Sequence, residues 1–257
     1  MKSLYSYTLL AIGALLLGLI CFAWAVVSSL LLPFLSAAAG RRVGRLGAMY
    51  WFRFFLATME TAGAWNLDLA ELDALRDEGA LIIAPNHPGL LDAVLIVSRL
   101  PNAVCVMKTS LLSNFLLGPA ARLARYVRND SLRRLATRAS EELGLGGQLL
   151  IFPEGTRTVG GPVGHLTDAV GAISRRAAVP IQAVIIEVDS HFLGKGWATL
   201  TRPEFPMNFS VRLGRRFDPP ADVRAFTAEL ERYFTRELAA GAAEHADAQA
   251  AARPIGG

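Results

Sequence analysis

His87 and Asp92 are a pair of side chains whose types and spacing could perform chemistry. A carboxylate that binds one ring nitrogen of a histidine fixes the tautomer and raises the basicity of the other nitrogen, which suits a general base. On one continuous helix the two side chains would lie about 140° apart, too far around to touch. We therefore predict that His87 lies in a turn after the apolar stretch 81–84 and that Asp92 lies in the first turns of the next helix. The simpler alternative is a polar turn followed by an aspartate at a helix start.

A second polar segment, residues 153–158, follows another short apolar stretch. It contains Glu154 and Arg157 around Gly155, a residue type that permits a tight turn. Arginine is the side chain that binds phosphate through two parallel hydrogen bonds. A solvated Glu–Arg turn would explain the two charges, but not why such a turn occurs in the same chain as the His87 turn.

Both segments belong to an alternation of short apolar runs with longer helical patterns. The predicted strands are residues 80–84, 103–107, 148–152, 181–186 and 209–213. The predicted helices are residues 70–77, 92–98, 111–124, 132–143, 168–177 and 222–239. Strands separated by helices of this length indicate an α/β fold with a mostly parallel central sheet flanked by helices. The two polar segments would then lie just past strand ends, where such sheets place functional residues.

Several common chemistries are excluded by the absence of their motifs. The sequence contains no G-x-S-x-G, no G-x-x-x-x-G-K-[ST] and no G-x-G-x-x-G. Two cysteines, Cys21 and Cys105, are too few for a disulfide scaffold or a cysteine-rich zinc module. No metal site is predicted, because the histidines lack metal-ligand spacing; they are His87, His165, His191 and His245.

The surplus of positive charge lies at the amino-terminal end of the chain. The net charge is +4, yet five basic residues precede Glu60, the first acidic one. No charged residue occurs from Ser3 to Gly40, a run longer than the roughly 20 apolar residues that cross a bilayer. A cleaved signal peptide is disfavoured because its apolar core would be only about 7–15 residues long. This pattern predicts a membrane anchor, and Pro33 leaves open either one long tilted helix or a helical hairpin.

Arg41, Arg42 and Arg45 follow the apolar run directly, and cytoplasmic flanks of anchors are enriched in such residues. We therefore expect a protein of the inner (cytoplasmic) membrane with its catalytic domain on the cytoplasmic side. The predicted organisation is an anchor over 1–44, an aromatic segment over 45–66, an α/β domain over 67–239 and a flexible tail over 240–257. The aromatic segment is equally compatible with ordinary core and with an amphipathic helix that rests on lipid headgroups.

The two polar segments carry a resemblance to a known family. Asn86-His87 with Asp92, and Phe152-Pro153-Glu154-Gly155-Thr156-Arg157, are similar to the N-H-x(4)-D and F-P-E-G-T-R boxes of the 1-acylglycerol-3-phosphate acyltransferases. Two weaker elements of that family follow in the right order. They are Tyr126-Val127-Arg128 and Val179-Pro180-Ile181. The resemblance covers about residues 45–220.

The resemblance implies a reaction and a role for each matching residue. His87 would take a proton from the acceptor hydroxyl and Asp92 would orient it, while Glu154, Gly155, Thr156 and Arg157, with Arg128, would hold the glycerol phosphate. The donor would be an acyl-CoA or acyl carrier protein thioester and the acceptor a membrane lipid, with no further cofactor and no metal. The reaction would be O-acylation of a lysophospholipid, 1-acylglycerol-3-phosphate giving phosphatidic acid.

Departures from the family pattern leave the acceptor open. Gly89 stands where the family often has serine, and Leu166-Thr167-Asp168-Ala169 stands where it often has F-K-x-G. The N-H-P-x-L-L-D form of the first box resembles relatives associated with specialised lipids. O-acylation of an ornithine or polyene lipid, and a non-catalytic lipid-binding protein of the same fold, are therefore alternatives.

An arginine-rich stretch runs through residues 122–138. It is either a solvated helix face or a docking site for an acidic acyl donor. A nucleic-acid partner is excluded, because residues 60–257 carry 21 basic against 22 acidic side chains and no stacking aromatics are interleaved with the arginines.

Overall fold

The computed structural model describes residues 2–158, 161–189, 194, 196 and 205–251. The helices are α1 Lys2–Leu31, α2 Ala37–Thr61, α3 Asp92–Val97, α4 Thr109–Leu112, α5 Gly118–Leu123, α6 Leu132–Gly144, α7 Ala169–Ala177 and α8 Val223–Ala251. The strands are β1 Trp65–Asp68, β2 Leu81–Pro85, β3 Ala103–Lys108, β4 Val127–Asn129, β5 Gln148–Leu150, β6 Ile181–Val188 and β7 Met207–Phe217. A 3₁₀ helix over Ala70–Leu75 replaces the α-helix predicted at residues 70–77.

The strands form one seven-stranded sheet in the order β1-β7-β6-β2-β5-β3-β4. The only antiparallel pair is β6–β7; every other neighbouring pair is parallel within the described residues. The prediction of a mostly parallel sheet flanked by helices is therefore confirmed. The five predicted strands correspond to β2, β3, β5, β6 and β7, whereas β1 and β4 were not predicted because runs of four and three residues carry little periodicity.

The single helix predicted over residues 111–124 is wrong. The structure has two short helices there, α4 and α5, separated by a turn at Asn114. The Asn114 side-chain oxygen accepts hydrogen bonds from the backbone N–H groups of Leu116 (2.8 Å) and Leu117 (3.3 Å). An asparagine that binds the backbone in this way competes with the helical hydrogen bonds, and Pro119 then begins the next helix.

The sheet is covered on both faces by apolar side chains. Ile83, Val184 and Ile186 point into a core shared with α2 and α3. Ile82 and Ile185 point to the opposite face, into a core shared with α6, α7 and α8. Alternation of this kind follows from the two-residue period of a strand, and burial on both faces is typical of parallel sheets.

Helices α1 and α2 form an antiparallel hairpin joined by the turn that contains Pro33. The hydroxyl of Tyr5, near the start of α1, donates to the carbonyl of Ala62 at the end of α2 (3.0 Å), and the ring of Trp24 packs on Gly47. Only α1 is long and apolar enough to span a membrane among the described helices: Tyr5–Leu31 has a mean hydropathy of 2.6. The 38-residue apolar run is thus divided at Pro33, and its last residues begin α2.

Two of the three arginines expected to flank the membrane are bound within the protein. Arg45 is only 3% exposed and donates to Glu142 on α6 (2.5 Å), to Asn102 (2.6 Å) and to the carbonyl of Ala124 (3.1 Å). Arg41 also binds Glu142 through its Nε (2.9 Å). Burial lowers the pKa of Arg45, and the adjacent Glu142 carboxylate opposes that effect. These contacts attach α2 to the α/β domain, and α2 runs through the predicted boundary at residue 44.

The segments before and after the α/β domain match their predicted character only in part. In the aromatic segment 45–66, Phe55 and Trp65 are core residues, whereas Tyr50 and Phe54 are exposed. Helix α8 continues through residue 251, well into the segment 240–257 expected to be a tail, and residues 252–257 lie outside the described part of the chain.

Candidate active site

The first box leaves the sheet at the carboxyl end of β2. All five residues of β2 are buried, and Asn86 continues their pairing with β6 through its side chain. The Asn86 amide nitrogen donates to the carbonyl of Ile186 (2.9 Å) and its oxygen accepts from the Ile186 N–H (2.7 Å). An amide bound at both ends fixes the point at which the chain turns out of the sheet toward His87.

His87 and Asp92 form the contact that their spacing predicted. The distance between His87 Nδ1 and Asp92 Oδ2 is 2.7 Å, with His87 in the turn and Asp92 as the first residue of α3. The same carboxylate oxygen accepts from the Gly89 N–H (2.8 Å), so Asp92 also binds the backbone of the turn. Burial raises the pKa of Asp92, which is 1% exposed, and the hydrogen bond from His87 opposes that effect.

The orientation of the imidazole has a defined chemical consequence. A carboxylate at Nδ1 selects the tautomer with the proton on Nδ1, which leaves the lone pair of Nε2 to accept a proton. The Phe152 ring stacks on the imidazole, with ring centroids 3.8 Å apart and an interplanar angle of 18°. The imidazole side chain remains 18% exposed, so the ring is not fully enclosed by the core.

Glu154 binds the turn that carries His87. Its Oε1 accepts a hydrogen bond from the His87 backbone N–H (3.0 Å), and its Oε2 accepts from the Gly164 N–H (2.8 Å). The hydroxyl of Thr158 lies 2.8 Å from Oε2 as well. Glu154 is 6% exposed. Its carboxylate is therefore directed into the protein, where it holds the turn that carries His87; the contact with the acceptor that the resemblance implied stays a prediction.

Thr158, one residue beyond the F-P-E-G-T-R box, completes the hold on His87. Its backbone N–H donates to the His87 carbonyl (2.8 Å). Both backbone groups of His87 are thus bound by the second polar segment, residues 153–158, the N–H by Glu154 and the carbonyl by Thr158. The sequence offered no local signal for this contact, because the two residues are 71 positions apart.

The remaining residues of the second box form the turn beside His87. Gly155 has a φ of +66°, a left-handed conformation that disfavours any side chain, and its N–H donates to the Phe152 carbonyl (3.0 Å). Thr156 is exposed, and Arg157 is half-buried with its Nη1 donating to the Gly194 carbonyl (3.2 Å). Both lie within a few residues of Glu154 and hence beside the His87 turn.

Arg128 occupies a different part of the same sheet edge. It lies on the edge strand β4, three strands from β2 in the sheet order, which corresponds to roughly 14 Å between strand axes. Lys108, the last residue of β3, is exposed between them at the carboxyl end of the sheet. Sequence reasoning did not single out Lys108, although its place directly after a buried strand is the same signal that identified the two boxes.

Other sequence features have structural explanations. Asp168 accepts a hydrogen bond from the Thr227 hydroxyl of α8 (2.7 Å), which gives this acid a partner on that helix. Arg134 and Arg138 form ion pairs along the exposed face of α6, as expected of a solvated helix. In the described ranges, no group of three or more His, Cys, Asp or Glu side chains is arranged to hold a metal ion, and His191 lies outside those ranges.

Comparison with known proteins agrees with this geometry. Residues 66–187 match the family model described as Acyltransferase, a range that contains both boxes. The 1-acyl-sn-glycerol-3-phosphate acyltransferase of Pseudomonas aeruginosa is 23% identical over 222 residues, which cover 84% of this chain and 83% of that protein. The crystal structure of the 1-acyl-sn-glycerophosphate acyltransferase PlsC from Thermotoga maritima superposes with a TM-score of 0.69 at 18% identity, covering 93% of this chain and 96% of that one. The family match shows an acyltransferase domain over residues 66–187, and the curated relative and the shared fold support its assignment as PlsC-like.

Proposed function

We propose that the protein transfers a fatty acyl group from a thioester, acyl-CoA or acyl carrier protein, to the free hydroxyl of 1-acylglycerol-3-phosphate. The product would be phosphatidic acid. The observation that carries this proposal is the 2.7 Å contact of His87 Nδ1 with the buried Asp92 carboxylate, in a turn whose His87 N–H and carbonyl are both bound by residues of the second polar segment. The name of the Pseudomonas relative supports the choice of acceptor.

The proposed chemistry needs one proton acceptor and no covalent enzyme intermediate. Nε2 of His87 takes the proton of the acceptor hydroxyl as its oxygen attacks the thioester carbonyl carbon. The carbon–sulfur bond then breaks, and the departing thiolate recovers the proton from the imidazolium. Asp92 stabilises the imidazolium that forms between these steps, as a buried carboxylate does in other His-dependent acyl transfers. The histidine returns to its initial state after each turnover.

Recognition of the acceptor phosphate is assigned to cations at the same sheet edge. Arg157 lies in the turn next to His87, with Thr156 and Gly155 beside it. Lys108 on β3 and Arg128 on β4, the second and third strands from β2, add positive charge along the same end of the sheet. A guanidinium can bind two phosphate oxygens at once, which fixes the acceptor relative to His87. We expect binding of the acceptor phosphate to depend most on Arg157.

The membrane is the expected location of both acceptor and product. Helix α1 exposes Leu15, Leu19, Phe22 and Leu30, each more than half exposed, and this face is suited to lipid. We propose that the protein is held on the inner membrane by α1 with the α/β domain on the cytoplasmic side, where acyl thioesters are found.

The decisive experiment is transfer of a labelled acyl group by the purified full-length protein. Acyl-CoA and acyl carrier protein serve as donors, and the acceptors are 1-acylglycerol-3-phosphate, other lysophospholipids, an ornithine lipid and a monoacylglycerol. We expect phosphatidic acid as the main product and loss of transfer in His87→Ala with unchanged thermal stability. Preference for a phosphate-free acceptor would overturn the assigned substrate. Undiminished transfer by His87→Ala would overturn the mechanism.

A further inference from the structure

The segment between β3 and β4 exposes apolar side chains where the fold does not require them. Phe115 is 74% exposed and Leu111 is 40% exposed, whereas Leu112 between them is buried. The turn that carries Phe115 is fixed by the two backbone hydrogen bonds to Asn114. Phe115 is therefore held outward by a defined turn.

Two cations flank these apolar side chains. Arg122 is exposed, and its Nη1 donates to the Leu112 carbonyl (3.2 Å), which brings the guanidinium to the end of α4. Arg125 follows α5 and is exposed as well. Neither arginine forms an ion pair with a carboxylate in the described part of the chain. Their charges are thus available to an anionic partner.

Arg125 occupies a backbone conformation that is unfavourable for it. Its φ is +59°, and the Tyr126 N–H closes the end of α5 by donating to the Ala121 carbonyl (2.9 Å). This is the position at which helices usually carry glycine, because a Cβ is strained there. A strained residue retained in a folded protein is a reason to examine the function of its side chain.

The same segment lies against the amino-terminal hairpin. Helix α5 contacts both α1 and α2, and the close approach of Gly44 to Ala124 leaves no room for a side chain between α2 and the end of α5. The segment also leaves the sheet at the carboxyl end of β3, the edge at which the His87 turn leaves β2. Phe115, Leu111, Arg122 and Arg125, which we call the rim, therefore lie beside the membrane-binding helix and at the catalytic edge.

We propose that the rim is a second membrane contact, in which Phe115 and Leu111 enter the interfacial layer and Arg122 and Arg125 bind the phosphates of anionic lipids. Apolar side chains interleaved with unpaired cations are the pattern of interfacial binding to an anionic bilayer. An acidic acyl donor would need the cations, but would leave the exposed phenyl ring unexplained. The contact sets the catalytic edge toward the surface that holds the acceptor. This inference rests on the membrane association in the proposed function and on none of its chemistry.

Spin labelling of the full-length protein tests the rim directly. A nitroxide is attached to Phe115→Cys in a Cys21→Ala background, in which the remaining Cys105 is buried. The protein is reconstituted in vesicles of phosphatidylcholine with phosphatidylglycerol. The control label is at Leu145→Cys, because Leu145 is 60% exposed but precedes β5 at the opposite edge of the sheet.

We expect the label at position 115 to be protected several-fold from a water-soluble nickel relaxant and accessible to oxygen, while the label at 145 remains aqueous. Equal nickel access at positions 115 and 145 would overturn the proposal that the rim contacts the membrane. Failure of the unmutated protein to bind vesicles would instead overturn the membrane association in the proposed function. A label at Leu111→Cys gives the same measurement if the variant at Phe115 does not fold.

The substitution Arg125→Gly tests the contribution of the rim's cations to membrane binding. Glycine relieves the backbone conformation, so we expect an equal or higher thermal midpoint together with loss of the difference in label depth between anionic and neutral vesicles. A raised KM for the acyl donor with label depth unchanged would overturn the lipid assignment and indicate donor docking.

Discussion

The backbone N–H of His87 donates a hydrogen bond to Oε1 of Glu154, 3.0 Å away. This contact joins the two boxes that the sequence places 67 residues apart, and it uses the carboxylate that the family resemblance assigned to the acceptor. Glu154 therefore binds the backbone of the turn that carries the imidazole, and we expect it to position the ring.

Glu154→Gln should lower kcat by about 100-fold with little change in the KM for the acceptor. Glutamine can accept at only one atom, so either the His87 or the Gly164 N–H loses its partner and the turn shifts; misplacement by about 1 Å costs a factor of this size. Steady-state kinetics with varied acceptor gives both constants. Glu141→Gln on exposed α6 is the matched control. A selective rise in acceptor KM would instead support direct binding of the acceptor by Glu154.

Thr158→Val should lower kcat about tenfold, and Thr158→Ser should restore it. Valine keeps the shape and the backbone N–H but removes the hydroxyl that binds Glu154, a hydrogen bond to a charged group worth about 1.5–3 kcal/mol. Thr137→Val is the control, because the exposed Thr137 hydroxyl donates to the carbonyl of Arg133 in its own helix. Equal effects of valine and serine at position 158 would show that the hydroxyl has no part in positioning.

The contacts of this site that could be predicted are those between residues close together in the sequence. The His87–Asp92 pair is local, so spacing and helix geometry were sufficient to predict it. The contact of Thr158 with His87 depends on β5 lying next to β2, and the order of strands in a sheet is not written in any local pattern. The same limit applies to Arg45 and Glu142, which are 97 residues apart.

The charge pattern at the amino terminus shows the same limit. Arg41 and Arg45 follow an apolar run, and sequence alone gives them the position of a membrane flank. Their partner Glu142 lies on α6, and only the packing of α2 on the α/β domain brings the charges together. The fold class was predictable because periodic patterns are local, whereas the partner of a buried charge is a property of the tertiary structure.

Asp92→Asn should abolish most activity while stabilising the fold at neutral pH. Burial raises the pKa of Asp92, so the folded protein is favoured by protonation of this group, and that stability is lost as pH rises from the ordinary aspartate value of about 4 through the raised value. Asparagine removes the buried charge. At pH 7 we expect the variant to have a higher thermal midpoint than the unmutated protein, and we expect this difference to disappear below pH ~4. We also expect kcat to fall by a factor on the order of 10⁴, as it does for the corresponding change in a serine protease triad. A lower midpoint at pH 7 would show that the His87 contact outweighs the burial of charge.

Glu142→Ala should destabilise the protein by about 3–5 kcal/mol. It leaves Arg45 buried without a carboxylate, which is the costly way to break a buried ion pair. Denaturant unfolding measures the change, and the adjacent exposed residue provides the control in Glu141→Ala. Combining Arg45→Met with Glu142→Leu removes both charges and should recover much of the loss. Equal stability of Glu142→Ala and Glu141→Ala would show that the contacts of Glu142 with Arg41 and Arg45 do not hold α2 on the α/β domain.

Arg157→Ala should raise the KM for 1-acylglycerol-3-phosphate by about 10- to 100-fold, because hydrogen bonds to a charged group contribute about 1.5–3 kcal/mol. Transfer to a monoacylglycerol, which lacks the phosphate, should change little. Arg157→Lys should recover only part of the affinity, since a lysine supplies charge without the two parallel hydrogen bonds. Arg138→Ala, on the solvated face of α6, is the control for loss of a cation. The Nη1 of Arg157 also donates to the Gly194 carbonyl (3.2 Å). An equal loss of activity with both acceptors would therefore mean that Arg157 supports the turn and does not bind the phosphate.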